Sequence, residues 1–299
     1  MTCTLGIPRA LVTYLHPALW ETFFSKLGCE VLVSQPSTRR TIEQAGLISE
    51  SEHCLPVKLF DAHLAELASR TRDLFVPRIL SSLPGHLACP KLGALPDCAR
   101  AQFPDHRILT VDIDERVTPL EKTLEQAGRR LRVKDAVLQQ AIPDALTAMR
   151  AARTEAPAPR EEGTLRFLVI GHPYNLNDAF LSQPILQKLE RLGVEARKAD
   201  FSRRDAPPEP IQWDTCSLIY DNLQRMNPAE WDGVIHLSSF NCGCDSIVSV
   251  LYARLLREKG LPCTTLVLDE HAGQAGVETR LEAFVDSIKD RYEHARTRH

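Results

Sequence analysis

The residues of this sequence best equipped for chemistry are thiols set beside proline and glycine. Cys242 and Cys244 stand one residue apart in SSFNCGCDSIVS, residues 238–249, while Cys54 lies in HCLPVK and Cys89 in ACPK. Cys54 and Cys242 precede helix-like runs, and Cys89 and Cys242 follow strand-like ones. A helix N-terminus carries positive potential, which favours the thiolate that binds a metal. Lys58 and Lys91 follow Cys54 and Cys89 closely enough to share that charge. Core filling is the ordinary fate of a cytosolic cysteine, and Cys3, Cys29, Cys216 and Cys263, in or beside apolar runs, fit it. Cys98 is left undecided. Cys54, Cys89 and Cys242 sit in loops where core filling has little to offer.

Two further stretches carry polar groups. In GHPYNLND, residues 171–178, Tyr174, Asn175 and Asn177 are placed to donate hydrogen bonds to sulfur or a ligand; the competing reading is a turn built on Pro173 and the asparagines. In DEHAGQAGVETR, residues 269–280, Glu270 and His271 form a carboxylate–imidazole pair able to move protons, while Glu278 and Arg280 read as solvated helix residues. His172 and His236 read as structural hydrogen-bonders and stay outside the metal set. Neither stretch is a phosphate-binding glycine loop, so nucleotide binding is not indicated. Zinc knuckles and the compact cysteine runs of ferredoxins are also missing from the sequence. Widely spaced single cysteines remain compatible with an iron–sulfur cluster assembled by the fold.

The elements that must position these residues alternate between strand and helix. Residues 5–7, 30–34, 74–80 and 107–113 read as strands, with helices over 16–27, 41–47 and 56–69. Residues 119–153 are helical and charged, and RTEAPAPREEG, residues 153–163, reads as a linker. The alternation then restarts, with strands at 166–170, 194–199, 233–237 and 264–268 and helices at 184–192, 246–259 and 278–292. The expected fold is therefore two α/β domains, 1–153 and 164–299, each a largely parallel sheet. The chain has 299 residues, 43% hydrophobic, and a net charge of −3. That balance gives no bulk attraction for nucleic acid, and no apolar run reaches the length of a membrane span. An odd cysteine count of nine without an export signal argues against a disulfide framework and for a cytoplasmic protein.

Seven stretches in order resemble the 2-hydroxyacyl-CoA dehydratase superfamily, in its acyl-CoA dehydratase activase-related branch, which is also similar to double-cubane-cluster proteins. They are GIPRAL at 6–11, CLPVKL at 54–59, VPRILS at 76–81, CPKLGALPD at 89–97, GHPYNLND at 171–178, SSFNCGCDS at 238–246 and LDEHAGQAGVETRLEAF at 268–284. The resemblance implies two Rossmann-like doubly wound domains with an iron–sulfur cluster, 4Fe–4S or double-cubane 8Fe–9S, in the cleft between them. It implies Cys54, Cys89 and Cys242 as ligands; Cys244 departs from the pattern, where proline is usual, and is a possible fourth. Lys58, Lys91, Tyr174 and Asn175 would lie near the cluster, with Glu270 and His271 as proton-transfer residues. The implied function is an iron–sulfur redox protein of the dehydratase type. Its partners would be an ATP-dependent activator of actin-like fold and a second copy or related subunit. A non-catalytic carrier or scaffold docking the activator, and a thiol oxidoreductase working through Cys242 and Cys244, are the alternatives.

Overall fold

A computed structural model describes residues 3–153, 163–199, 211–270 and 274–296. The first part runs β1 (Cys3–Ile7), α1 (Val12–Leu15), α2 (Leu19–Lys26), β2 (Cys29–Val33), α3 (Arg39–Ile48), α4 (Leu55–Ala68), β3 (Asp73–Phe75), β4 (Arg78–Ser81), α5 (Pro90–Gln102), β5 (Arg107–Leu109) and β6 (Asp112–Asp114). Two helices follow, α6 (Leu120–Arg130) and α7 (Asp135–Arg153). The second part runs β7 (Leu165–Gly171), α8 (Pro173–Asn177), α9 (Ala179–Arg191), β8 (Val194–Lys198), α10 (Asp214–Arg225), β9 (Gly233–Ser239), α11 (Gly243–Glu258), β10 (Cys263–Leu268) and α12 (Gln274–Arg296). Most of the expected linker, and with it the expected domain division, lies outside the described residues.

Two four-stranded sheets result, ordered β2-β1-β3-β5 and β10-β9-β7-β8, with β4 and β6 forming a small third ladder. Every pairing is parallel. Both large sheets place their first strand between the second and third, so this is the Rossmann-like doubly wound α/β fold. In such sheets the crevice forms beyond the carboxyl ends of the first and third strands, where successive connections diverge. β7 and β9 are that pair in the second sheet.

Single strands expected over 74–80 and 107–113 are each broken in two. Pro77 explains the first break, because it has no N–H to give the ladder. The neighbouring amides bridge the gap: Val76 donates to Leu109 O and Arg78 to Val111 O, each at 2.9 Å.

α4 wedges the two sheets together. It is buried on almost every side, including Lys58, Asp61 and His63. Val57, Phe60 and Leu64 join the first sheet's core, while Leu55 and Leu59 pack with Val169, Leu237 and Leu266 of the second. Such all-round burial fits its almost continuous apolar sequence. Polar ties also cross between the parts: Lys58 pairs with Glu270, Lys91 donates to Asn241 O, and Asn241 donates to Ser51 O. No helix among the described residues is long and apolar enough to cross a membrane.

Candidate metal centre

Three helix N-termini meet where the carboxyl ends of the sheets face each other. Cys54 is the N-cap of α4, Cys89 of α5 and Cys242 of α11, with Cys244 in the first turn of α11. Proline at the start of α4 and α5 pre-sets the helical turn, having no N–H that needs a partner there. None of the three N-cap side chains makes a capping hydrogen bond, so the sulfurs point elsewhere.

They point at one another. Cys244 lies within electrostatic reach of both Cys89 and Cys216. Cys54 lies within electrostatic reach of both Cys242 and Cys89. Burial, then the neighbouring Cys242, pushes the Cys54 thiol up to about 11, while Lys91 pulls the other way. The Cys216 partner pushes Cys244 up to about 12. Cys89 is raised by the neighbouring Cys244 and by burial. All four thiols are free of disulfides. Cys54, Cys242 and Cys244 are 9%, 7% and 6% exposed. The arrangement is a water-poor pocket of soft donors, a setting that suits a thiophilic cation.

The other expected site residues divide. Lys91 is tied to Glu52 O at 2.9 Å and faces Cys54. Lys58 turns away to pair with Glu270, so the expected acid is held in a salt bridge between the sheets. Tyr174 stacks on His172, ring centroids 4.9 Å apart, within reach of Cys242, Cys54 and Cys89. Asn175 donates to Leu237 O at 3.2 Å and accepts from Ser239 Oγ at 2.9 Å, which ties α8 to β9 and commits its oxygen and one of its two amide hydrogens. His271 lies outside the described residues.

Two groups escaped the sequence reading. Cys216, assigned to core filling, sits against Cys244; it lies on α10, a helix without a strong sequence signal. His172 and Asp245 converge on Cys242. His172 Nε2 is 3.8 Å from Cys242 Sγ and 3.0 Å from Asp245 Oδ1, and His236 Nε2 lies 3.7 Å from the same oxygen. Burial opposes charge on His172, but Asp245 outweighs it and raises its pKa. Likewise burial would raise Asp245, and His172 with His236 pulls it well down. The available signal was the spacing of Cys242 and Asp245, three apart and therefore on one face of a helix start.

No curated protein matches the chain. The family model described as "CoA enzyme activase uncharacterised domain (DUF2229)" matches residues 4–201. This overturns the expected function. A CoA enzyme activase stands on the side that supplies activation, not on the side of a dehydratase-type redox enzyme, or its carrier subunit, that waits for an activator. With the match running from β1 past β8 across about two-thirds of its length, the chain belongs to the CoA enzyme activase family that this description names.

Proposed function

We propose that this activase-family chain carries a cysteine-bound iron–sulfur cluster, and that the cluster serves the activation of a CoA-dependent partner enzyme. The observation that carries the reading is the convergence of Cys54, Cys89, Cys242 and Cys244 from three helix N-termini. Three buried thiols and the half-buried Cys89 fit a thiophilic group, and thiolates select iron–sulfur clusters, zinc or copper(I) over hard cations. When bound, such a cluster supplies one-electron reducing chemistry.

The chain's own residues would do the rest. Lys91 and the three helix ends offset the negative charge of the thiolates. Tyr174, buried and raised well above its ordinary pKa by burial and then by Cys242, stays protonated as a hydrogen-bond donor. The enclosure keeps water from the sulfurs. Free thiols suit a reducing compartment, and we place the chain in the cytoplasm.

Iron and sulfide measured per chain after strictly anaerobic purification test the reading. About four of each support a single cubane, and about eight irons a double one. Iron-free protein, or unchanged iron in Cys54→Ser and Cys89→Ser, would sink it.

A further inference from the structure

The crevice at the carboxyl ends of β7 and β9 holds a second donor set. We propose that Cys242 Sγ, His172 Nε2 and the Asp245 carboxylate form a binding site for one divalent ion of the zinc class, sharing only Cys242 with the thiolate centre.

The spacing fits. The three ligand atoms lie within 4.8 Å of one another, and all three residues are buried. An ion bound at ordinary zinc distances would hold tetrahedral ligand atoms about 3.3–3.6 Å apart. The observed 3.8 Å and 3.0 Å bracket that span, so small side-chain adjustments would seat the ion. The donor types also fit: one thiolate, one imidazole and one carboxylate make the mixed set that a borderline cation prefers.

The unsatisfied atoms argue for an occupant. Asp245 is 0% exposed, yet neither of its carboxylate oxygens accepts a hydrogen bond, and His236 Nε2 and His172 Nδ1 are also unpartnered. A buried carboxylate left this way is costly, and such groups commonly mark a water or ion. The ion pair between His172 and Asp245, at 3.0 Å, and the His236 contact at 3.7 Å both fall on Oδ1, so they leave Oδ2 of this buried carboxylate without a partner. Helix capping supplies none. An acid at the third helical position usually reaches back to the N-cap amide, but the Cys242 N–H donates to Ser239 O at 3.0 Å. Asp245 is thereby released to face His172. Three protein ligands leave a fourth position open, the pattern of a zinc site that holds water or a substrate oxygen, and His236 stands beside the carboxylate as an orienting neighbour.

Cobalt(II) binding tests this in the full chain with Cys54, Cys89 and Cys244 all replaced by serine, which removes the cluster site and keeps Cys242. The expected result is one cobalt per chain, with a thiolate-to-cobalt absorption band and intense tetrahedral visible bands. D245N, H172Q and C242S added to that background should each weaken binding at least tenfold. X-ray absorption on the cobalt-loaded background protein should show one sulfur with nitrogen or oxygen neighbours. The proposal is overturned by no cobalt binding, by binding unchanged in D245N and H172Q, or by a shell with no sulfur or with two. The X-ray result holds even where a variant fails to fold. Iron and sulfide in the unmodified chain judge the cluster separately, so either reading can fail alone.

Discussion

Cys244 and Cys242, one residue apart, keep different company: Cys244 lies near Cys89 and Cys216, while Cys242 faces Cys54 and His172. Both are therefore assigned to the thiolate centre. Cys244→Ser should lower iron content by more than half, as Cys242→Ser does, whereas Cys98→Ser, on the surface, should leave it unchanged. Equal iron in Cys244→Ser and the parent chain would return that residue to bystander status. At this scale the sequence was informative where type and neighbours agreed. Cysteine beside Pro56, Pro90 or Gly243 is poorly explained by core filling, so Cys54, Cys89 and Cys242 stood out. Asp245 and His172 did not, because an acid in a first helical turn and a lone histidine are each ordinary; only the fold makes them neighbours. A resemblance in site motifs likewise carried the notion of a dehydratase further than motifs can, since related sites on one fold serve different roles.

Elements were legible where hydrophobic period was strong, as in α2 and β9. α5 was missed because Gly93 and Pro96 interrupt its pattern, and α10 because its apolar residues sit among polar ones. β9 and β7 meet so closely that a Cβ on Gly171 would lie 2.6 Å from Leu237 O. Gly171→Ala should therefore destabilise the chain by about 1–3 kcal/mol, seen as a lower denaturant midpoint, and should disturb His172 next to it. A midpoint within error of the parent would show that the strands yield freely. α4 makes a second prediction. Burial, then the Arg9 cation, pulls His63 down to about 4 from its ordinary value near 6.5. Between those values the unfolded chain binds a proton that the folded chain refuses. His63 thus contributes no penalty above about pH 6.5, and stability falls as pH drops from there towards 4, by up to about 3 kcal/mol. Asp178, raised by burial, acts in the opposite sense on the acid side. Comparing His63→Gln with the parent isolates the histidine: the variant should lose less stability over that pH span, and parallel curves would refute the assignment.

For the whole molecule, the two sheets are joined by α4 and by the Lys58–Glu270 pair, whose side chains are only 5% and 13% exposed. Removing one partner takes away the ion pair that crosses between the sheets, so Lys58→Met should lower stability in chemical denaturation by about 1–3 kcal/mol. The double replacement of Lys58 by Met and Glu270 by Leu should recover much of it, and a harmless single variant would place the pair outside the stabilising contacts. The α/β class and the parallel sheets were readable from the alternation of elements, but the way the halves meet was not, because α4 shows its two faces only when both sheets are present.

The distribution of the thiols along the chain gives the centre a timetable. Cys54 and Cys89 leave the ribosome first; Cys242 and Cys244 follow about 150 residues later, a delay of roughly 10–30 s at ordinary rates of synthesis. During that interval the early thiols lack the partners that will enclose them, and once the second sheet closes over them they are nearly out of reach. For the proposed cluster, loading would thus be a problem of timing as much as affinity: the metal would have to arrive while the nascent chain is still open, or the finished protein would have to part its two sheets to admit it.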